Sequence, residues 1–254
     1  MSQDVALDLA ELVNHLVTED DEPVDNLFSA KQQRLLARAL YSSWRPLPSE
    51  ESPDEPRPFI ADANVGIFYA THRPPLVPDF FLSLDVQVAK DWYEKRHRSY
   101  FVWEFGKAPE VVVEIVSNRE GHELGSKLKD YAQVGVTYYV VYDPLEQLSQ
   151  DVLRIYELYL GKRYRLRKDR QLPDVGLQLT LWEGRFEAQA ATWLRWCDAE
   201  GNLIPTGEER AKLEAERANR ETDARQQAEA ELARLKEELA RREKQVPRKR
   251  GRKQ

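Results

Sequence analysis

Two short β-rich runs, EVVVEIV at 110–116 and TYYVVYDP at 137–144, flank a segment of helical periodicity closed by Gly135. Strand, dozen-residue helix, strand is a βαβ unit. Its crossover favours a parallel pair of strands inside an α/β sheet. The surrounding sequence supplies further strands. FIADANVGIFYA and PDFFLSLDV are short and bounded by proline or charge, and DWYEKRHRSYFVWEFGK reads as a loop leading into another strand. VLRIYELYLGKRYRLRK is a hairpin turning near Gly161, and LQLTLWEGRFE is a final strand. Ahead of them, Leu35, Leu36, Ala39 and Leu40 at helical spacing predict a helix over 29–43, followed by the proline- and acid-rich loop RPLPSEESPDEPRP.

The run at 110–116 contains an oddity. Side chains alternate along a strand, so Val112, Glu114 and Val116 share one face and Val111, Val113 and Ile115 the other. A carboxylate in such a run is costly to bury unless it is neutralised, paired or bound to a cation. PDFFLSLDV opens on Pro78-Asp79, which can bring a second carboxylate beside Glu114. Two carboxylates, a backbone carbonyl and waters make the hard oxygen site that Mg²⁺ prefers, and Mn²⁺ suits it too. Such a site can support hydrolysis of a phosphodiester. A helix from roughly 122 to 134 follows, with Leu124, Leu128, Tyr131 and Gly135 within about 60° of one another as its buried face. Lys127 lies about 70° from the middle of that stripe and Lys129 about 130° away. Lys127 therefore borders the sheet and reaches over the strand ends, while Lys129 faces solvent.

Charge divides the chain. From Gly207 to Gln254 there are 15 Lys+Arg and 11 Asp+Glu, which leaves the first 206 residues ten charges negative. An acidic body argues against coating nucleic acid by bulk electrostatics, though not against local basic patches. Lys95, Arg96 and Arg98 in EKRHRSY are candidates for such phosphate contacts, with Trp92 and Tyr93 nearby for stacking. Residues 207–246 are rich in Ala, Glu, Arg, Lys, Gln and Leu, which predicts a charged helical extension. A heptad seam appears only at its end, at Leu232, Leu235, Leu239 and Val246, where a coiled coil and a homodimer could form. Residues 1–24 read as a flexible or short helical segment, and 247–254 as a basic disordered tail. Cys197 is the sole cysteine, which excludes a disulfide framework and a thiolate zinc site. The four histidines have no metal-ligand spacing. Trp182, Trp193 and Trp196 read as packing residues of a C-terminal strand and helix. The N-terminus is unlike a signal peptide and no stretch is apolar enough to span a membrane, so a cytoplasmic protein is expected.

Taken together, the Pro-Asp pair, VVVEIVSN, KLKDYAQVGVTYYVVYDP and LWEGRFE…TWLRWCDAEGNLIP resemble the Uma-type putative restriction endonuclease family, expanded in cyanobacteria and similar to the PD-(D/E)XK nuclease superfamily. The resemblance covers roughly residues 28–206. It implies a restriction-endonuclease-like α/β domain over 25–206, a mixed central sheet flanked by helices, with a long C-terminal helix or coiled coil. It makes Asp79 the motif aspartate and Glu114 the motif glutamate. These, with the Ile115 carbonyl, would hold Mg²⁺. The superfamily lysine normally stands two residues beyond the glutamate, where this chain has Val116. In the family that lysine migrates to the adjoining helix, which carries it to Lys127, the residue the helical wheel selects. Glu123 stands where the family often has aspartate, and Ser117 would support the strand end. The function implied is a Mg²⁺-dependent DNA endonuclease. The alternative is a catalytically inactive nucleic-acid-binding or assembly module on the same fold.

Overall fold

The computed structural model of the chain describes residues 26–48, 53, 55–91, 93–117 and 122–245. The expected N-terminal segment, Trp92, Val246 and the basic tail lie outside the described residues. Helix α1 (Leu27–Ser43) starts at Asn26, whose Oδ1 accepts a hydrogen bond from the Ser29 N–H at 2.9 Å. It is followed by β1 (Phe59–Asp62), β2 (Ile67–Phe68), β3 (Phe80–Leu84), β4 (Tyr100–Phe101) and the single turn α2 (Val102–Phe105). Then come β5 (Val111–Ile115), α3 (Ser126–Val134), β6 (Tyr138–Tyr142), β7 (Leu153–Tyr159), β8 (Arg163–Leu166) and β9 (Gln171–Leu172). The long strands β10 (Leu177–Phe186) and β11 (Gln189–Asp198) and helix α4 (Gly207–Gln245) complete the order.

A mixed sheet runs β1-β3-β5-β6-β7-β8. β5 and β6 are the parallel pair, Val111 opposite Tyr138 and Ile115 opposite Tyr142, and the other neighbours are antiparallel. Parallel strands sit where both faces are covered, which explains why β5 and β6 are buried along their full length. One face packs Phe80, Leu82, Val111, Val113 and Tyr142 against Leu36 and Leu40 of α1 and Leu194 and Trp196 of β11. The other packs Phe81, Val112, Val116, Tyr139 and Val141 against Tyr131 and Leu128 of α3.

α1 is locked onto β11 by polar bonds as well as by packing. The Gln32 side chain donates to the Leu194 carbonyl at 2.8 Å and accepts from the Leu194 N–H at 2.9 Å, and Trp196 Nε1 donates to the Leu36 carbonyl. At the tip of the β10–β11 hairpin, Glu187 takes ion pairs from Lys31 (3.0 Å), Arg34 (2.7 Å) and Arg38 (3.3 Å) of α1. α3 ends at Gly135 with φ 98°, a left-handed cap that suits glycine.

Two expectations are corrected. TWLRWCD is β11, paired with β10 over ten positions, not a helix, because its buried residues find a cross-strand partner in every row, Trp182 opposite Trp193 among them. The helix before β6 starts at Ser126 rather than near 122, with Gly125 at its N-cap, and Leu124 is exposed ahead of it rather than on the buried face.

The chain divides into two compact units, residues 1–206 and 207–254. In the second, α4 carries ion pairs one turn apart, Arg217 with Glu221 at 2.9 Å and Arg225 with Glu229 at 2.8 Å. Its Leu213, Leu232, Leu235 and Leu239 are exposed. Among the described residues no helix is long and apolar enough to cross a membrane.

Candidate active site

The register of β3 on β5 sets Phe80 opposite Val113, so the next pair outward is Asp79 and Glu114. Pro78 precedes the strand and its carbonyl accepts from Asn64 N–H. Asp79 leaves the β3 ladder at that point, and its side chain reaches across to the next strand. Oδ2 accepts from the Ile115 N–H at 2.7 Å, while Oδ1 accepts from Gln33 Nε2 of α1 at 2.8 Å. Gln33 is itself held by Asn64, each side chain donating to the other at 3.1–3.2 Å. Asn64 has φ 55°, a conformation asparagine tolerates.

Glu114 is 2% exposed in the centre of the sheet. Both carboxylate oxygens are served from α3, Oε2 by Lys127 Nζ at 2.9 Å and Oε1 by the Tyr131 hydroxyl at 2.7 Å. Lys127 and Tyr131 stand four apart and so share one helix face. Burial pushes the Glu114 carboxyl up to about 7, with Lys127 pulling it down, Asp79 raising it further and the Tyr131 hydrogen bond lowering it. At Lys127, burial alone would lower the ammonium, but Glu114, Glu123 and Asp79 outweigh it and leave the pKa raised. The lysine is therefore a fixed cation over a carboxylate poised between its two forms.

Glu123 is 5% exposed, its Oε1 3.7 Å from Lys127 Nζ, and its buried Oε2 has no hydrogen-bond partner among the described residues. Val116 is buried against Tyr131 and Tyr139 and its N–H donates to the Tyr142 carbonyl. Ser117 follows it at the rim of a cavity of about 510 Å³ that also touches Asn26, Phe28, Tyr142 and Thr192. Asp79, Glu114, Ile115, Glu123 and Lys127 thus come together. Lys95, Arg96 and Arg98 occupy a locally bonded turn, Arg96 paired with Glu94 at 2.6 Å and Arg98 donating to the Tyr93 carbonyl.

Three participants escaped the sequence reading. Gln33 lies three and seven positions before Leu36 and Leu40 on the buried stripe of α1, a polar residue on an apolar face, and that was a usable signal. Tyr131 read as core, although its spacing from Lys127 was visible. Asn64 gave no signal in the sequence.

The family Uma2, described as "Putative restriction endonuclease", matches residues 17–184, a span that contains every residue of the cluster. Among solved structures the chain is similar to a putative nuclease belonging to DUF820 from Anabaena variabilis. Identity is 13% over 61% of this chain and 73% of that one, with a TM-score of 0.35. No curated protein matches it.

Proposed function

We propose, from the premise that the chain belongs to the Uma2 family of putative restriction endonucleases, that it is a Mg²⁺-dependent DNA endonuclease hydrolysing phosphodiester bonds. One observation carries the reading. A carboxylate buried at mid-sheet, Glu114, faces a second one, Asp79, under an ammonium from the neighbouring helix.

The residues fit a hard divalent cation. Asp79, Glu114 and the Ile115 carbonyl offer oxygen ligands, and the cost of ionising Glu114 falls when more positive charge arrives. Among the described residues Oε2 of buried Glu123 has no donor, so the same pocket has room for positive charge. Among the described residues no three His, Cys, Asp or Glu side chains gather as a metal-binding group. Two carboxylates and a carbonyl suit Mg²⁺, which usually keeps several waters. When bound, the cation supplies Lewis-acid polarisation of a phosphoryl oxygen and acidifies a water.

The chain's own residues do the rest. Gln33 and the Ile115 N–H fix the Asp79 carboxylate. Tyr131 fixes Oε1 of Glu114 and favours its ionised form. Lys127 stays an ammonium, so it holds and polarises the attacking water and the phosphate rather than accepting a proton. The water oxygen bonds to phosphorus and releases a proton to solvent as a bridging P–O bond breaks. The departing oxygen takes up a proton from solvent, so one water is consumed for each bond cut. Outside this cluster, α4 pairs with a second copy through Leu232, Leu235 and Leu239.

Supercoiled plasmid incubated with Mg²⁺ or Mn²⁺ tests the reading, with metal binding followed in parallel by calorimetry. Wild type is expected to nick or linearise it. Asp79→Asn and Glu114→Gln should lose metal binding and lower the rate by roughly 10²–10³-fold, and Lys127→Met should lower the rate by a similar order while metal still binds. Intact plasmid with both ions, together with no metal binding by wild type, rejects the assignment.

A further inference from the structure

The strand that closes one side of the sheet, β8, and the turn after it carry an excess of positive charge that no partner among the described residues absorbs. Residues 162–170 hold six Lys or Arg and one Asp in a chain whose net charge is −6. Arg167 takes up both nearby acids, Glu157 at 2.6 Å and Asp169 at 2.9 Å, and Lys162 donates to the Gln133 carbonyl at the end of α3. That leaves Arg163, Arg165, Lys168 and Arg170. All four are exposed, and among the described residues none of their side chains has a hydrogen bond or ion pair. By contrast, Lys31, Arg34, Arg38, Arg57, Lys107 and Lys127 of the same unit are all paired.

The backbone presents these charges in order. Tyr164 is tied inward, its hydroxyl donating to the Val136 carbonyl at 2.8 Å and its ring packed on Tyr139 and Tyr156. Alternation then projects Arg163 and Arg165 from the other face at the open edge, about 7 Å apart. β8 stands three strands from β5, about 14 Å across the sheet. Arg165 and Arg163 lie three and five rows along it from the level of Glu114 and on the opposite face, which puts their backbone about 17 and 22 Å from the site. Both are well inside one turn of duplex DNA, about 34 Å.

We propose that the β7–β8 hairpin and its outgoing turn, through Arg163, Arg165, Lys168 and Arg170, bind the phosphodiester backbone of a nucleic acid flanking the Asp79–Glu114 site. This rests on the nuclease reading and names a surface which that reading leaves open. In an acidic unit, such a patch supplies local attraction where the body as a whole repels a polyanion. It would position without reading sequence.

The test is anisotropy of a labelled duplex, and of the same strand single, titrated with protein in chelator across a salt series. Wild type is compared with a chain carrying Arg163→Gln, Arg165→Gln, Lys168→Gln and Arg170→Gln, and with the four corresponding Glu substitutions. All four sites are exposed, so thermal unfolding should be unchanged. Affinity is expected to fall at least tenfold at about 0.1 M salt, and the slope of log K against log salt to shrink by about 3 to 4 for duplex and somewhat less for single strand. Wild type that binds and cuts DNA alongside variants with the same affinity and slope overturns the hairpin surface and leaves the nuclease reading standing. Wild type that neither binds nor cuts overturns both. Phosphatidylserine vesicles captured by wild type and lost by the Glu variant, with DNA binding unaffected, would assign the patch to a membrane surface instead. Variants that only self-associate would reduce it to protection of an edge strand.

Discussion

A carboxyl group that ionises near pH 7 in the folded chain and at 4.5 when free leaves a trace in stability. Below 4.5 Glu114 is protonated in both states and folding gains the full benefit of hiding a neutral acid. As pH rises from 4.5 towards 7 the unfolded chain gives up its proton while the folded one still holds it, so stability falls, and above about 7 the loss is complete. Metal-free wild type should therefore lose roughly 3 kcal/mol against Glu114→Gln across that window. Denaturant titrations of both chains at several pH values measure the difference, and parallel curves would show that burial does not hold the proton. The position of Glu114 was legible because an acid inside a β-branched run breaks the pattern. Asp79 was legible from the proline before it, and Lys127 from its angle to the apolar stripe. The residues that make the site rigid were harder to see. Gln33 meets Asp79 only because α1 crosses the sheet, a contact across 46 positions that no local pattern encodes.

Elements are held to the site by a clasp some distance from it. Glu187 sits at the tip of the longest hairpin, lowered to about 2 first by Arg34 and then by Lys31, and those cations belong to the helix that carries Gln33. Its Lys31, Arg34 and Arg38 pairs are partly exposed, so their combined worth is modest. Glu187→Ala should cost about 1 kcal/mol at low salt and markedly less near 1 M salt, read by chemical unfolding. An equal loss at both ionic strengths would mean that the cost is packing and not charge. The βαβ unit was legible from its spacing, and so was the turn at Gly161. β11 was not. Its composition, with two tryptophans and an arginine among small residues, fits helix or strand, and the ten-row pairing with β10 decides it.

At the scale of the molecule, the mixed sheet follows from the strand–helix–strand order, while the association state follows from nothing within one copy. α4 has 39 residues, about 58 Å of helix. From Arg210 to Leu239 every side chain is exposed. Pairing of its terminal leucines predicts a sedimentation mass near twice 29.6 kDa for the full chain and a single-copy mass for one ending at Thr206. A full chain that stays at the single mass over a hundredfold range of concentration would reject it. A helix with no buried stripe draws its stability from propensity and i, i+4 pairs, and a long isolated helix in water is only marginally formed on those alone. For residues 207–245, folding and association then become one equilibrium, and dilution itself would act as a denaturant, melting the segment without touching a single bond in the sheet.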